Sequence, residues 1–260
     1  MNRTPALAAA TTALLLLAAG CSTAGPVRSS GVSTAATPRL TVFAAASLKT
    51  TFTELGTRFE AAHEGTSVVF SFGGSSDLVT QLQQGAPGDV FASADTTKMD
   101  KASADGLITG TPVTFASNTL EIAVPPDNPA QITSFADLTR SGVRVVVCAP
   151  QVPCGSATQK VEKAAGADIS PVSEENSVTD VLNKVTSGEA DAGLVYRTDV
   201  QGAGDRVMGI DFPESAEAVN VYPIAVLTRS EDAALAQEFV TLVTGAEGQQ
   251  VLADAGFGKP

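Results

Sequence analysis

Leu40-Thr41-Val42-Phe43-Ala44-Ala45-Ala46-Ser47-Leu48 is the stretch whose reading decides the fold. Residues 40–44 form a short apolar run that reads as a buried strand. Ala45 and Ala46 are small enough for a tight turn, and Ser47 is a residue type favoured where helices begin. Leu48, Phe52, Leu55, Phe59 and Ala62 then recur at spacings of three and four, so residues 47–62 read as a helix. A strand, a small-residue turn and a helix start make one unit of an α/β fold.

Outward from this unit the same alternation continues. Strands are expected at 66–72, 89–92, 143–148 and 192–196, and helices at 76–84, 96–104, 134–138, 156–165 and 177–185. A long β-rich stretch covers 113–124. Residues 219–227 read as a strand interrupted by Pro223, and two helical stretches, 231–244 and 246–253, close the chain. Strand-helix-strand repetition implies parallel sheets with helices on both faces. The final residues hold no strand series of their own, so they return to the first domain. The expected organisation is two α/β domains, 39–118 with 224–260 and 119–223, joined by two hinge crossings near 117–122 and 221–225. A small ligand would sit in the cleft between them, at strand carboxyl ends.

The N-terminal residues read differently. After the positive start at Arg3, residues 6–19 are apolar and include Leu14-Leu15-Leu16-Leu17. At 1.5 Å per residue this run covers about 21 Å, short of the roughly 30 Å hydrocarbon core. Residues 1–20 therefore read as a signal peptide. Small residues before Cys21 resemble the bacterial lipobox, with Ala18 where Leu is usual, so Cys21 is the expected lipidation site; ordinary secretion is the alternative. Residues 21–38 are rich in Ser, Thr, Ala, Gly and Pro and read as a flexible tether. The expected location is outside the cell membrane, lipid-anchored, or in a periplasm. In such an oxidising compartment Cys148 and Cys154, six apart, can close a disulfide; two free thiols are the alternative.

Composition narrows the function. Apolar residues make up 43% of the 260, enough for a sizeable core. Lys and Arg number 16 against 28 Asp and Glu, a formal net charge of -12. Loss of Arg3 with the signal peptide makes this -13 (-12 minus one positive charge). With no basic run and 5% aromatics, nucleic-acid binding is excluded. The acidic surplus prompts a metal-cation reading, but no turn gathers a ligand cluster. Catalytic motifs are missing: there is no Gly-x-Ser-x-Gly, P-loop or Gly-x-Gly-x-x-Gly, and no carboxylate pair stands out. The single histidine, His63, sits at a polar helix end, an unpromising place for a Ser-His-Asp triad.

What recurs is a small, hydroxyl-bearing turn at a helix N-terminus, at 44–47, 73–76, 153–156 and 176–178. Each such end offers free backbone N–H groups and a partial positive dipole. One of them is an ordinary N-cap; four converging on a cleft make an anion site.

At this point a family resemblance enters. Thr41-Val42-Phe43-Ala44-Ala45-Ala46-Ser47-Leu48, Phe72-Gly73-Gly74-Ser75-Ser76-Asp77-Leu78 and Gly85-Ala86-Pro87-Gly88-Asp89-Val90-Phe91-Ala92-Ser93-Ala94-Asp95 resemble the molybdate-binding proteins of bacterial ABC transporters. Gly193-Leu194-Val195-Tyr196 and Tyr222-Pro223-Ile224-Ala225-Val226 fit as well. The resemblance implies a two-domain, type II-like periplasmic-binding-protein fold that holds molybdate or tungstate in the cleft and delivers it to a membrane permease. It implies a binder with no cofactor and no enzymatic activity. Hydroxyl and N–H donors come from Ser47 and Ser75, backbone N–H donors from Cys154 and Val178, and a phenolic donor from Tyr196. Two departures stand out: Gly73-Gly74 where Ala-Ser is common, which should ease the turn, and Cys154 where Ala is frequent. Sulfate or another tetrahedral oxyanion is the alternative ligand. An exported hydrolase using Ser47 or Ser75 is the alternative class.

Overall fold

The computed structural model describes residues 38–260. The expected signal peptide, Cys21 and the tether up to residue 37 lie outside the described residues.

In chain order the first part runs β1 (Arg39–Ala45), α1 (Lys49–Ala62), β2 (Ser67–Gly73), α2 (Ser75–Gln83), β3 (Val90–Ala92), α3 (Thr96–Ala104) and β4 (Ile108–Asn118). A single residue, Thr119, separates β4 from β5 (Leu120–Val124). There follow β6 (Val145–Cys148), α4 (Pro153–Ala165), β7 (Ser173–Glu175), α5 (Val178–Thr186), β8 (Ala192–Tyr196), α6 (Arg197–Ala203) and β9 (Met208–Ile210). The chain ends with β10 (Asn220–Leu227), α7 (Ala233–Thr244) and α8 (Ala246–Asp254). Two five-stranded sheets result, ordered β2-β1-β3-β10-β4 and β7-β6-β8-β5-β9. Each sheet is the centre of one lobe.

The sheets are mixed, where strand-helix alternation suggested parallel ones. β1 runs parallel to β2 and β3, but β10 is antiparallel to β3 and β4. In the second sheet β6 is parallel to β7 and β8, while β5 is antiparallel to β8 and β9. The cause is the crossings. β5 and β10 each enter their sheet directly from the other lobe, with no crossover helix to restore the direction. The return crossing precedes Asn220, earlier than the 221–225 stretch suggested by sequence, because β10 pairs with β4 from Asn220 onward. Pro223 does not interrupt β10; the register shifts between Tyr222 and Pro223, a bulge that accommodates the missing N–H.

The cores follow the expected periodicity. α1 buries Thr51, Phe52, Leu55, Gly56 and Phe59, one stripe at helical spacing. Phe52 and Phe59 meet Phe239 of α7 edge-on at 6.0 and 5.4 Å, so the C-terminal helices pack on the first sheet. Phe43, Leu78, Phe91 and Met99 fill its other face. In the second lobe Ile122, Val146, Val181 and Leu194 are fully or almost fully buried in one cluster. Sequence reading missed β7, α6 and β9, and began β4 late. Among the described residues no helix is long and apolar enough to cross a membrane.

Register then places the turns. Ala45 pairs with Gly73 and Ala44 with Ala92, so the segments leaving β1, β2 and β3 emerge side by side. Cys148 pairs with Glu175 and Val146 with Gly193, which sets the segments leaving β6, β7 and β8 together in the second lobe.

Candidate functional site

These two sets of turns meet. Ser47, Ser75, Cys154, Val178 and Tyr196, the five residues singled out by sequence, line one small cavity. Its volume is about 20 Å³, somewhat more than the roughly 10–15 Å³ that one water requires. No acidic or basic side chain lines it.

Local structure explains what each turn presents. A 3-10 turn, Ala46–Leu48, precedes α1, and its cap Ala45 supplies no side-chain hydrogen bond. α2 starts behind Gly74 and α4 behind Val152, again without side-chain caps. Pro153 in the first turn of α4 has no N–H to satisfy. α4 begins at Pro153, ahead of the expected 156, which brings Cys154 into its first turn. Of the four helix starts singled out by sequence, α5 alone is capped by a side chain: Ser177 Oγ accepts from Asp180 N at 3.3 Å and donates to the Asp180 carboxylate at 2.7 Å. First-turn N–H groups have no partner within their helix, so these starts offer donors to the cavity.

The hydroxyls are constrained too. Ser75 is 1% exposed, and its Oγ accepts from Ala94 N at 3.0 Å. Ser47 Oγ lies 3.0 Å from the hydroxyl of Tyr222, a fully buried residue that sequence reasoning had not placed at the site. The Tyr196 hydroxyl is buried and makes no hydrogen bond of good geometry, the Tyr222 hydroxyl being a polar neighbour. A buried, unsatisfied hydroxyl costs about 1–3 kcal/mol, which singles this oxygen out. Burial pushes the Tyr196 phenol well above its ordinary pKa, so it stays a neutral donor. Asp199 accepts from Tyr196 N at 2.9 Å; burial nevertheless raises its carboxyl to about 7.

The lobes touch around the cavity. Ser76 Oγ donates to Gln151 O at 2.6 Å, and Asn118 Nδ2 donates to Thr198 Oγ1 at 2.8 Å. At Gly74 an added Cβ would stand 2.0 Å from Asn176 O. With φ at -62° the turn itself does not require glycine. Close approach of the second lobe does, which corrects the reading of Gly73-Gly74 as a device for the turn. Cys148 and Cys154 are disulfide-bonded with Cα atoms 5.6 Å apart, closing the loop that leads into α4.

Other chemistries find little support. His63 bonds Phe59 O and Glu238 through its two ring nitrogens and lines no part of this cavity. Among the described residues no group of three or more His, Cys, Asp or Glu could hold a metal ion. The site missed by sequence reading is the ring of supports: Ala94, Asn118, Asn220 and Tyr222. One signal was available for the last, since the chain has two tyrosines and both meet here, 6.1 Å apart edge-on.

A family model for bacterial extracellular solute-binding proteins matches residues 40–258. The chain is 52% identical over 240 residues to the molybdate-binding protein ModA of Mycobacterium tuberculosis, covering 92% of each. It is 31% identical over 230 residues to ModA of Escherichia coli, covering 84% of this chain and 88% of that protein. Among solved structures, the Azotobacter vinelandii periplasmic molybdate-binding protein matches with a TM-score of 0.75 at 25% identity, over 85% of this chain and 99% of the other.

Proposed function

The chain belongs to the bacterial extracellular solute-binding proteins, and from that premise we propose that it binds molybdate, and tungstate with it, in the cavity between the lobes and delivers it to an ABC permease. The observation that carries this reading is the Tyr196 hydroxyl, buried beside uncapped helix starts with no protein group to satisfy it. A tetrahedral dianion accepts from many directions. Ser47 and Ser75 would donate from the first lobe, the Cys154 and Val178 N–H groups and Tyr196 from the second. Hydrogen bonds to a charged group contribute about 1.5–3 kcal/mol each. Five such bonds total about 7.5–15 kcal/mol, against the roughly 8 kcal/mol of micromolar binding, and association and lobe closure take their share. Neutral donors also avoid the desolvation of a buried Arg or Lys.

Isothermal titration with molybdate, tungstate, sulfate and phosphate tests the reading. Micromolar or tighter binding of the first two, with much weaker binding of the others, is expected; no heat with molybdate would end it. We further propose that Cys21 carries a lipid anchor, on the strength of the small residues before it. Loss of membrane association in Cys21→Ala, with secretion intact, is the expected result.

A further inference from the structure

Tyr222 does not line the cavity, yet its hydroxyl stands 3.0 Å from Ser47 Oγ, which does. One of the two oxygens donates and the other accepts. If Ser47 spends its proton on Tyr222, it meets an anion with lone pairs and repels it. If Tyr222 donates, the serine keeps its own proton for the ligand.

The neighbouring serine shows the same arrangement with no ambiguity. Ser75 Oγ accepts from the Ala94 N–H, and a backbone N–H can only donate. One acceptor lone pair of Ser75 is thus occupied, and its proton is left for the cavity. Ala94 is itself held by Asn220, whose Nδ2 donates to Ala94 O at 2.8 Å. Asn220 and Tyr222 stand two apart on β10, so one strand governs both serines. Burial pushes the Tyr222 phenol above its ordinary pKa, which keeps its proton in place. The ring is fixed by edge-on contacts with Phe257 at 5.5 Å and Tyr196 at 6.1 Å.

We propose that Tyr222 is a positioning residue for the anion site: its hydroxyl donates to Ser47 Oγ, takes one of that oxygen's lone pairs and leaves the Ser47 proton for the ligand. The proposal rests on the molybdate reading above. It has a consequence for selectivity. With its proton directed at the ligand and one lone pair taken by Tyr222, Ser47 is a poor acceptor for a ligand O–H, so the site disfavours an anion that carries a proton.

A double-mutant cycle with molybdate, using Tyr222→Phe, Ser47→Ala and the pair, tests this by isothermal titration. Tyr222→Phe should weaken binding about tenfold in the wild-type background and no more than about twofold in Ser47→Ala, because the two act through one hydroxyl. Competition by phosphate and sulfate supplies the second readout. At neutral pH phosphate is a mixture of its monoanion and dianion, each carrying at least one proton, and sulfate carries none. Removing the Tyr222 donor should therefore lower the ratio of phosphate to sulfate dissociation constants several-fold, a change that loosened packing would not produce. Unchanged affinity in Tyr222→Phe, equal losses in both backgrounds, or an unmoved ratio would each overturn the proposal. Failure of the wild type to bind molybdate would instead strike the parent reading. Should Tyr222→Phe not fold, Tyr222→Leu takes its place in the cycle, since the missing donor and not the ring is at issue.

Discussion

Tyr196→Phe is expected to move affinity and stability in different directions. The substitution removes one oxygen, and that oxygen makes no hydrogen bond of good geometry. In an ordinary buried tyrosine the lost hydrogen bond would cost about 1 kcal/mol of folding stability. Here there is no such bond to lose, and the desolvation penalty of the bare hydroxyl disappears with it. The ligand-free variant should be as stable as the wild type or gain up to about 1 kcal/mol, a rise of up to roughly 2–4 °C in a chain of this size. Ligand binding should suffer the opposite. A donor to a charged acceptor is worth about 1.5–3 kcal/mol, so the dissociation constant should rise by roughly 10- to 150-fold. Titration calorimetry gives the affinity, and thermal unfolding without ligand gives the stability. The chain has no Trp and two Tyr, so tyrosine emission at the site adds a third signal carried by Tyr222 alone in the variant. A melting point several degrees lower with unchanged affinity would refute the reasoning, because it would make Tyr196 a structural residue.

Three other outcomes follow from the same geometry. Gly74→Ala places a methyl 2.0 Å from the Asn176 carbonyl on the opposite lobe. It should hold the lobes apart and weaken molybdate binding at least about a hundredfold, with no ligand-induced compaction in solution scattering; wild-type affinity would contradict it. Replacing both Cys148 and Cys154 by Ser opens a loop of sequence separation 6. Chain entropy puts the loss at about 2 kcal/mol, or roughly 4–8 °C, while affinity changes little because the donor at 154 is backbone; a large affinity loss at full stability would reverse that assignment. Burial disfavours the charge of Asp199 and pushes its carboxyl up to about 7 in the folded chain, from an ordinary value of 3.8. The folded state therefore holds its proton more tightly, and this contribution is complete below about 3.8 and lost as pH rises through about 7. Thermal stability should decline between pH 5 and 8 in the wild type and decline less in Asp199→Asn; parallel profiles would exclude Asp199 as the source.

Much of this was written in the sequence, for physical reasons that also mark where reading stops. Residues 39–62 announce a strand and a helix because Leu48, Phe52, Leu55 and Phe59 must all face one core. Periodicity carries no information on strand direction, so β5 and β10 were read as members of parallel sheets. β7 and β9 have three residues each, too few to show any period. At the site, the helix starts that carry Ser47, Ser75, Cys154 and Val178 were legible from their small-residue turns, and Tyr196, at the end of β8, only through the family resemblance. Tyr222 and Asn220 were not, because a polar residue inside an apolar strand looks the same whether it supports a ligand residue or merely its own sheet. Only their distances to Ser47 and Ala94 separate the two.

An anion-binding protein with a net charge of -12 is less paradoxical than it first looks. The charge is spread over the surface, whereas no charged side chain lines the cavity. A lysine or arginine in that wall would attract the anion across several ångströms, and would go on attracting it after the lobes parted. Hydrogen-bond donors act over about 3 Å and lose their grip steeply beyond it. With the proposed donors divided two and three between the lobes, opening would remove two or three of the five together. For a protein that must hold its ligand tightly and then hand it on, binding through neutral dipoles makes release a consequence of opening alone. Surface charge then governs only approach: an acidic exterior slows a dianion, and salt relieves the delay.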